Sequence, residues 1–317
     1  LDIINSDARP GIKALCEVAG ISHQPAFAED VSFRLVPRLN AAGRMAHASL
    51  ALQLLTTDDI ATARQLAQSL DGLNYQRREL ERSILESILE DYRQQPDLLK
   101  NQTLVKWDPT WHQGVLGIVA SRIVETYYRP VILINVTGEL GKGSARSIPG
   151  LNLYKALESC QHCLEHFGGH SMAAGLTIKT ENLLEFQRSF EKAVRRIPDS
   201  DNRTPRLTVD TQIHLDDISE VLIDEIETLS PFGNQNPEPV FMAQNIKVVS
   251  SKIVGENHRR MMLVQDDQPS GKPVSAICFN AEDNLLKKTM FSRIAFRLRW
   301  NRWNGNKTIQ LIIEDAK

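Results

Sequence analysis

The chain has 317 residues, 42% of them hydrophobic and 24% charged, with 37 basic against 39 acidic side chains for a formal charge of −2. That apolar content excludes a disordered or collagen-like chain, the length allows two or three domains, and the near-neutral total taken alone speaks mildly against nucleic acid. Four cysteines make no disulfide framework and no apolar run approaches the roughly 20 residues of a membrane span, so a cytoplasmic protein without membrane contact is the expectation.

In chain order, residues 1–57 read as short helices, Gly11 to Ala19 and Leu50 to Leu55, with a loop through Pro25 and Pro37 between them. From Thr57 a long helix begins, capped by Asp58 or Asp59, with apolar residues at Ile60, Ala63, Ala67, Leu70, Leu73, Leu80, Ile84 and Ile88. Gly72 weakens it and Pro96 stops it. Its other face carries Arg77, Arg78, Glu79, Glu81, Arg82, Glu86 and Glu90 and reads as the solvated side of a connector over 58–96.

Strands then alternate with helices over 97–198. Thr103–Trp107 and Val131–Val136 are strands, Gly114–Thr126 is a helix, and Leu153–Leu164 and Glu181–Ile197 are helices flanking a strand at Leu176–Ile178. This rhythm predicts an α/β domain. Pro198 to Pro205 is polar and breaker-rich, a linker. Over 205–317, after a helix at Ile218–Leu229, five short strands are separated by turn signals such as Asn304-Gly305. They predict an all-β barrel of the OB type, with a β-sandwich as runner-up.

Charge is distributed unevenly. Between Asp199 and Glu238 there are ten acids and two arginines, whereas between Asn284 and Ile313 there are seven basic residues and no acid. Strand alternation puts Ile294, Phe296, Leu298 and Trp300 on one face and Arg293, Arg297 and Arg299 on the other. Arg302, Lys307 and the loop residue Trp303 extend that set. Cations beside an aromatic ring suit single-stranded nucleic acid; a solvated edge strand is the alternative.

Three runs could carry chemistry. Phe167-Gly168-Gly169-His170 offers backbone amides at two glycines, with His170 beside them to reach a phosphate; a structural turn is the alternative. In Gly143-Ser144-Ala145-Arg146-Ser147, Ser144 and Arg146 project to one face of a strand, a hydroxyl and a guanidinium suited to a terminal phosphate. In Pro37-Arg38-Leu39-Asn40-Ala41-Ala42-Gly43-Arg44, two arginines flank a small-residue turn that could equally be a helix start. Cys160-Gln161-His162-Cys163 with His166 invites a zinc reading, but there is no second Cys-x-x-Cys pair, and buried cysteines in a helical period fit better. No Walker loop, Ser-His-Asp set or His-Glu-x-x-His is present.

Together these runs, with Ala8-Arg9-Pro10-Gly11-Ile12, Gly114-Val115-Leu116-Gly117-Ile118-Val119-Ala120-Ser121-Arg122 and Ser230-Pro231-Phe232-Gly233, occur in an order that resembles the RecJ family. These are bacterial single-strand-specific 5′→3′ exonucleases of DNA repair and recombination, in the DHH phosphoesterase superfamily. The resemblance implies a remnant of the catalytic DHH domain over 1–57, a DHH-associated domain and an OB-fold. It also implies Mn²⁺ or Mg²⁺ in the intact enzyme. The sequence contains no Asp-His-His, so the metal ligands are expected outside this chain, which is expected to bind DNA without cleaving it unaided. His170 then corresponds to a residue facing the scissile phosphate. Ser144, Arg146 and Arg44, with Gly168 and Gly169, correspond to the 5′-phosphate pocket. Single-stranded DNA is the expected partner of a monomer. The alternatives are a non-catalytic module docking the acidic tail of single-strand-binding protein, and a DHH-type phosphoesterase for small nucleotides.

Overall fold

The computed structural model describes residues 1–21, 25–197, 204–255, 257–266, 272–281, 283–303 and 306–317, with backbone alone at 283, 284, 302, 303 and 306. The chain divides into two units, Leu1–Pro205 and Arg206–Lys317.

In the first unit, α1 (Asp2–Ser6) precedes α2 (Pro10–Ala19), which starts on a proline whose ring pre-sets the first turn and ends on Gly20 at φ +70. The expected loop through Pro37 is helical instead. The segment α3 (Ala28–Asp30), a π-turned stretch Val31–Leu35 and α4 (Val36–Met45) follow without a break. Pro37 thus stands inside this continuous run, and the wider π turn before it leaves room for the ring.

After α5 (Ser49–Thr56) comes α6 (Ile60–Gln94), 35 residues and about 52 Å long at 1.5 Å per residue. Asp59 caps it, accepting from Ala61 N at 3.4 Å and from Thr62 N at 2.8 Å. Hydrogen bonds from the Thr62 hydroxyl and amide hold the Asp59 carboxyl below the usual range. The N-terminal half of α6 buries Ala63, Ala67 and Leu70 against Ala14, Leu15 and Leu54. Its C-terminal half buries Ile84, Ile88 and Tyr92 in a separate core with Val115, Val119 and Leu133. Gly72 lies between the two, with no heavy atom within 4 Å of where a Cβ would stand. Glu81 does not face solvent as expected: it is 4% exposed and pairs with Arg77, one turn earlier, and with Arg122. A buried carboxylate needs such partners.

A five-stranded mixed sheet follows, β1 (Leu104–Asp108), β2 (Val131–Thr137), β3 (Leu140–Arg146), β4 (Leu164–Gly169) and β5 (Ala173–Lys179), in the order β1-β2-β3-β5-β4. Only β1 and β2 are parallel, joined by α7 (Leu116–Tyr127); the other neighbours are antiparallel. The helix expected over Leu153–Leu164 is shorter. It is α8 (Leu153–Glu158), followed by a 3₁₀ turn (Gln161–Cys163) and then β4. A 3₁₀ turn also brings positions i and i+3 together, so Cys160 and Cys163 are buried without an α-helix. One sheet face packs Ile132, Ile134, Leu176 and Ile178 against Leu157 of α8 and Phe186 and Phe190 of α9 (Leu183–Arg195). The other face packs Val131 and Leu133 under α7.

In the second unit, β6 (Thr211–Gln212) and α10 (Glu220–Thr228) lead into β7 (Phe241–Val254), β8 (His258–Gln265), β9 (Val274–Cys278), the short α11 (Asp283–Leu286), β10 (Met290–Trp303) and β11 (Asn306–Ala316). Pairing runs β7-β8-β9-β11-β10 and returns from β10 to β7, with β9 and β11 parallel. The sheet therefore closes on itself into a barrel rather than splitting into a sandwich. Ile294, Phe296, Leu298 and Trp300 are buried in it, as the alternation predicts.

Candidate functional site

Residues directly opposite in a sheet share a face, so the register locates the exposed side chains. Leu133 lies opposite Ser144 and Val131 opposite Arg146, under the edge of α7. Beyond them Gly175 lies opposite both Ser144 and Gly168, and Thr177 opposite both Lys142 and His166. This outer half of the face supports an open groove of about 400 Å³ lined by residues that include Gln113, Lys142, His166, Gly168, Gly175 and Thr177. Gly168 and Gly175 contribute backbone alone to its floor, so an extended chain can approach closely.

Ser144 and Arg146 stand where the groove meets the first turn of α7. Arg146 Nη1 donates to Ser144 Oγ at 3.2 Å and to the Ala145 carbonyl at 2.9 Å. A Cβ on Gly117 would lie 2.6 Å from Arg146 Nη2 and 3.0 Å from Ser144 Oγ, so glycine there leaves the space the guanidinium occupies. Arg44, at the end of α4, donates from Nη1 to the Gly114 carbonyl at 3.2 Å. Burial first, then the charge of Arg44, holds the Arg146 guanidinium below its usual range. Arg77 is lowered by burial, with Glu81 opposing and Arg44, Arg78 and Arg122 adding to the shift. Five arginines thus share one region with the buried Glu81 as counter-ion, a field that favours an anion.

His170 follows β4 at the same end of the sheet as Arg146. Its N–H donates to the Ala173 carbonyl at 2.8 Å, and its side chain is exposed. Gly169, at φ +149, makes the turn possible; a Cβ there would come within 2.5 Å of the Ala174 Cα. Ser171 and Met172 are fastened by the N–H groups of Leu153 (2.9 Å) and Ser147 (3.0 Å). The structure therefore gathers Ser144, Arg146 and Arg44 and sets Gly168, Gly169 and His170 along the neighbouring strand. Sequence reasoning assigned no role at this site to Gln113, Lys142, His166, Gly175, Thr177, Arg77 or Arg122, although Lys142 and Gly175 adjoin the runs that it singled out. Lys142 follows from the same alternation as Ser144; the others depend on strand register and helix packing.

On the barrel, the two charge blocks that are separate in sequence meet. Glu238, 6% exposed at its side chain, receives Arg299 through Nε (2.8 Å) and Nη2 (2.6 Å) and has Arg297 at 3.5 Å. Arg297 also approaches Glu314 at 3.3 Å. Lys307 pairs with Asp224 at 3.1 Å and lies 3.8 Å above the Trp300 ring, whose Nε1 donates to the same carboxylate at 2.9 Å. Arg293 is exposed. The side chains of Arg302 and Trp303 and the Asn304-Gly305 turn lie outside the described residues.

Among the described residues, the group of three or more His, Cys, Asp and Glu side chains close enough to share an ion is His162, Cys163 and Glu185. Mn²⁺ and Mg²⁺ take oxygen ligands, and a thiol in a set of three does not suit a pair of such ions. The residues present therefore do not fit that cofactor. No described helix is long and apolar enough to cross a membrane.

Two family models match, the DHHA1 domain over residues 100–196 and the RecJ OB domain over residues 209–315. Two relatives named single-stranded-DNA-specific exonuclease RecJ are similar along the whole chain. The protein of Bacillus subtilis is 34% identical over 320 residues, covering 100% of this chain and 40% of its own length. The protein of Escherichia coli is 35% identical over 320 residues, covering 97% of this chain and 54% of its own length. The crystal structure of Thermus thermophilus RecJ in complex with Mn²⁺ superposes with a TM-score of 0.83 at 30% identity, covering 100% of this chain and 45% of that one. The chain spans about half the length of the curated relatives it matches. With a DHHA1 domain, a RecJ OB domain and RecJ relatives similar over its full extent, the chain belongs to the RecJ family.

Proposed function

We propose that this chain supplies the 5′-phosphate pocket and the single-strand track of a single-stranded-DNA-specific 5′→3′ exonuclease acting in DNA repair and recombination. The observation that carries the reading is the juxtaposition of Ser144 and Arg146, beside Arg44 and the first turn of α7, with an open groove floored by Gly168 and Gly175. A terminal phosphate at Arg146 and Ser144 gains charge-assisted hydrogen bonds, and Arg44 adds charge beside it. One strand would lay its backbone over the glycines, and exclusion of duplex is the expected consequence. His170 stands at the end of that path, where the scissile phosphate would pass. No hydrolytic step runs through ions held by the described residues, and the chain alone is expected to bind and not to cleave. The Mn²⁺ or Mg²⁺ of the intact enzyme, bound elsewhere, would supply the activated water.

The barrel would bind single-stranded DNA in its own right through Arg293, Arg297, Arg299 and Lys307. Glu238 and Asp224 already neutralise part of this set, so phosphates must share or displace them. Exposed Lys287, Lys288 and Arg293, which flank exposed Met290 in the sequence, favour a second reading for that end of the barrel. It would dock an acidic tail with an apolar anchor, such as that of single-strand-binding protein.

Fluorescence anisotropy with labelled single strands tests the main reading. A 5′-phosphorylated strand should bind more tightly than its 5′-hydroxyl twin, both should outbind duplex, and affinity should fall as salt rises. Equal affinity for the two 5′ ends would remove the phosphate pocket.

A further inference from the structure

The sheet face opposite the groove carries a second cluster of chemistry-bearing side chains. The 3₁₀ turn Gln161–Cys163 runs straight into β4, and α9 packs beside it. The sulfur of Cys163, one imidazole nitrogen of His162 and one carboxylate oxygen of Glu185 all lie within 4.8 Å of one another. His162 Nε2 and Glu185 Oε1 are 3.9 Å apart. We propose that these three side chains form a binding site for a zinc-class divalent cation that clips the turn before β4 to α9.

The donor set and its placement both point this way. A thiolate with an imidazole and a carboxylate is a set that zinc accepts and that Mg²⁺ and Mn²⁺ do not favour. Tetrahedral zinc, with bonds of about 2.0–2.3 Å, sets its ligands roughly 3.3–3.8 Å apart. The three atoms therefore need to close by about 1.5 Å at most. Cys163 is buried, whereas His162 and Glu185 are exposed, so the sulfur can stay fixed while the two outer side chains rotate onto the ion. The fourth position then faces water. The elements are already held together without an ion, because Asn182 Nδ2 donates to the Cys163 carbonyl at 3.3 Å. Cys160 is buried in the core beside Leu157 and stands outside the cluster, so this is not a Cys-x-x-Cys site. Binding replaces the thiol proton of Cys163, which leaves as one proton per ion bound. The clip would fasten the start of β4, whose far end carries Gly168, Gly169 and His170. It is independent of the phosphate-pocket reading.

Cobalt(II) added to the metal-free 317-residue chain tests the site. One equivalent should give tetrahedral d–d bands with a thiolate-to-cobalt charge-transfer band; zinc should bleach both, and excess Mg²⁺ should not. His162→Ala and Glu185→Gln, at exposed positions that leave the fold intact, should each weaken binding about tenfold or more. Cys163→Ser should abolish the charge-transfer band, with circular dichroism reporting whether it folds; if it does not, the two exposed variants decide. Cys16→Ser, in another part of the unit, should leave the spectrum unchanged. Absence of the charge-transfer band at one equivalent overturns the proposal, as does a band of unchanged affinity in His162→Ala and Glu185→Gln, or one lost in Cys16→Ser.

Discussion

Gly117→Ala separates recognition of a 5′-phosphate from stability of the fold. The added methyl would lie 2.6 Å from Arg146 Nη2, 3.0 Å from Ser144 Oγ and 3.2 Å from Arg146 Cζ. Those contacts belong to side-chain ends, so the guanidinium yields by rotating away and the backbone stays. Within the first turn of α7, alanine in place of glycine should add about 0.5–1 kcal/mol of stability. Displacing one charge-assisted hydrogen bond to the phosphate costs about 1.5–3 kcal/mol. At about 1.4 kcal/mol per factor of ten, affinity for a 5′-phosphorylated strand should fall roughly 10- to 100-fold. Affinity for the 5′-hydroxyl strand should hardly change, and the melting temperature should hold or rise. Anisotropy titrations of both strands, with a thermal melt of each protein, read all three quantities. Unchanged preference for the phosphorylated end in a folded Gly117→Ala protein would refute Arg146 and Ser144 as its seat.

Glu81→Ala leaves Arg77 buried among Arg44, Arg78 and Arg122 without its counter-charge, and should cost about 3–5 kcal/mol in urea unfolding. Gly169→Ala forces a side chain onto φ +149 and against Ala174; a loss of about 1–3 kcal/mol is expected, read as a lowered melting temperature. The Asp59 carboxyl is lowered in the folded protein, so its contribution is present above the unfolded pKa and is lost as pH falls through the folded one. The stability gap between wild type and Asp59→Ala should accordingly close in acid below the ordinary aspartate range, measured by urea unfolding across pH.

Periodicity made the regular elements legible. The 3.6-residue repeat from Ile60, with Asp58 or Asp59 as cap, gave α6, and the alternation Ile294, Phe296, Leu298, Trp300 gave the interior of the barrel. Where two structures share a period, the pattern misled: Leu157, Cys160 and Cys163 fit an α-helix and equally a 3₁₀ turn ahead of a strand. Pro37 marked a break that a π turn absorbed. Charge was the least legible property, because a one-dimensional count cannot say that Glu238 returns to Arg299 or that Asp224 returns to Lys307. Glu81 looked solvated among its charged neighbours, and only the packing of α7 on α6 shows it buried. Of the groove, Lys142, Ser144 and Arg146 were readable from one strand. Gly175, Thr177 and His166 join them through pairings fixed by the whole sheet.

The two cores along α6 have a consequence for how the helix opens. Ala63, Ala67 and Leu70 hold one end of a single hydrogen-bonded ladder, and Ile84, Ile88 and Tyr92 hold the other. Neither core can open far without fraying a rod that the other still grips, so amide exchange across both halves should share one opening free energy rather than two. The ladder passes through Gly72, whose helix propensity is about 1 kcal/mol poorer than that of alanine and where an added Cβ would meet no heavy atom within 4 Å. If the cooperative unit ever splits under denaturant, that residue is the seam.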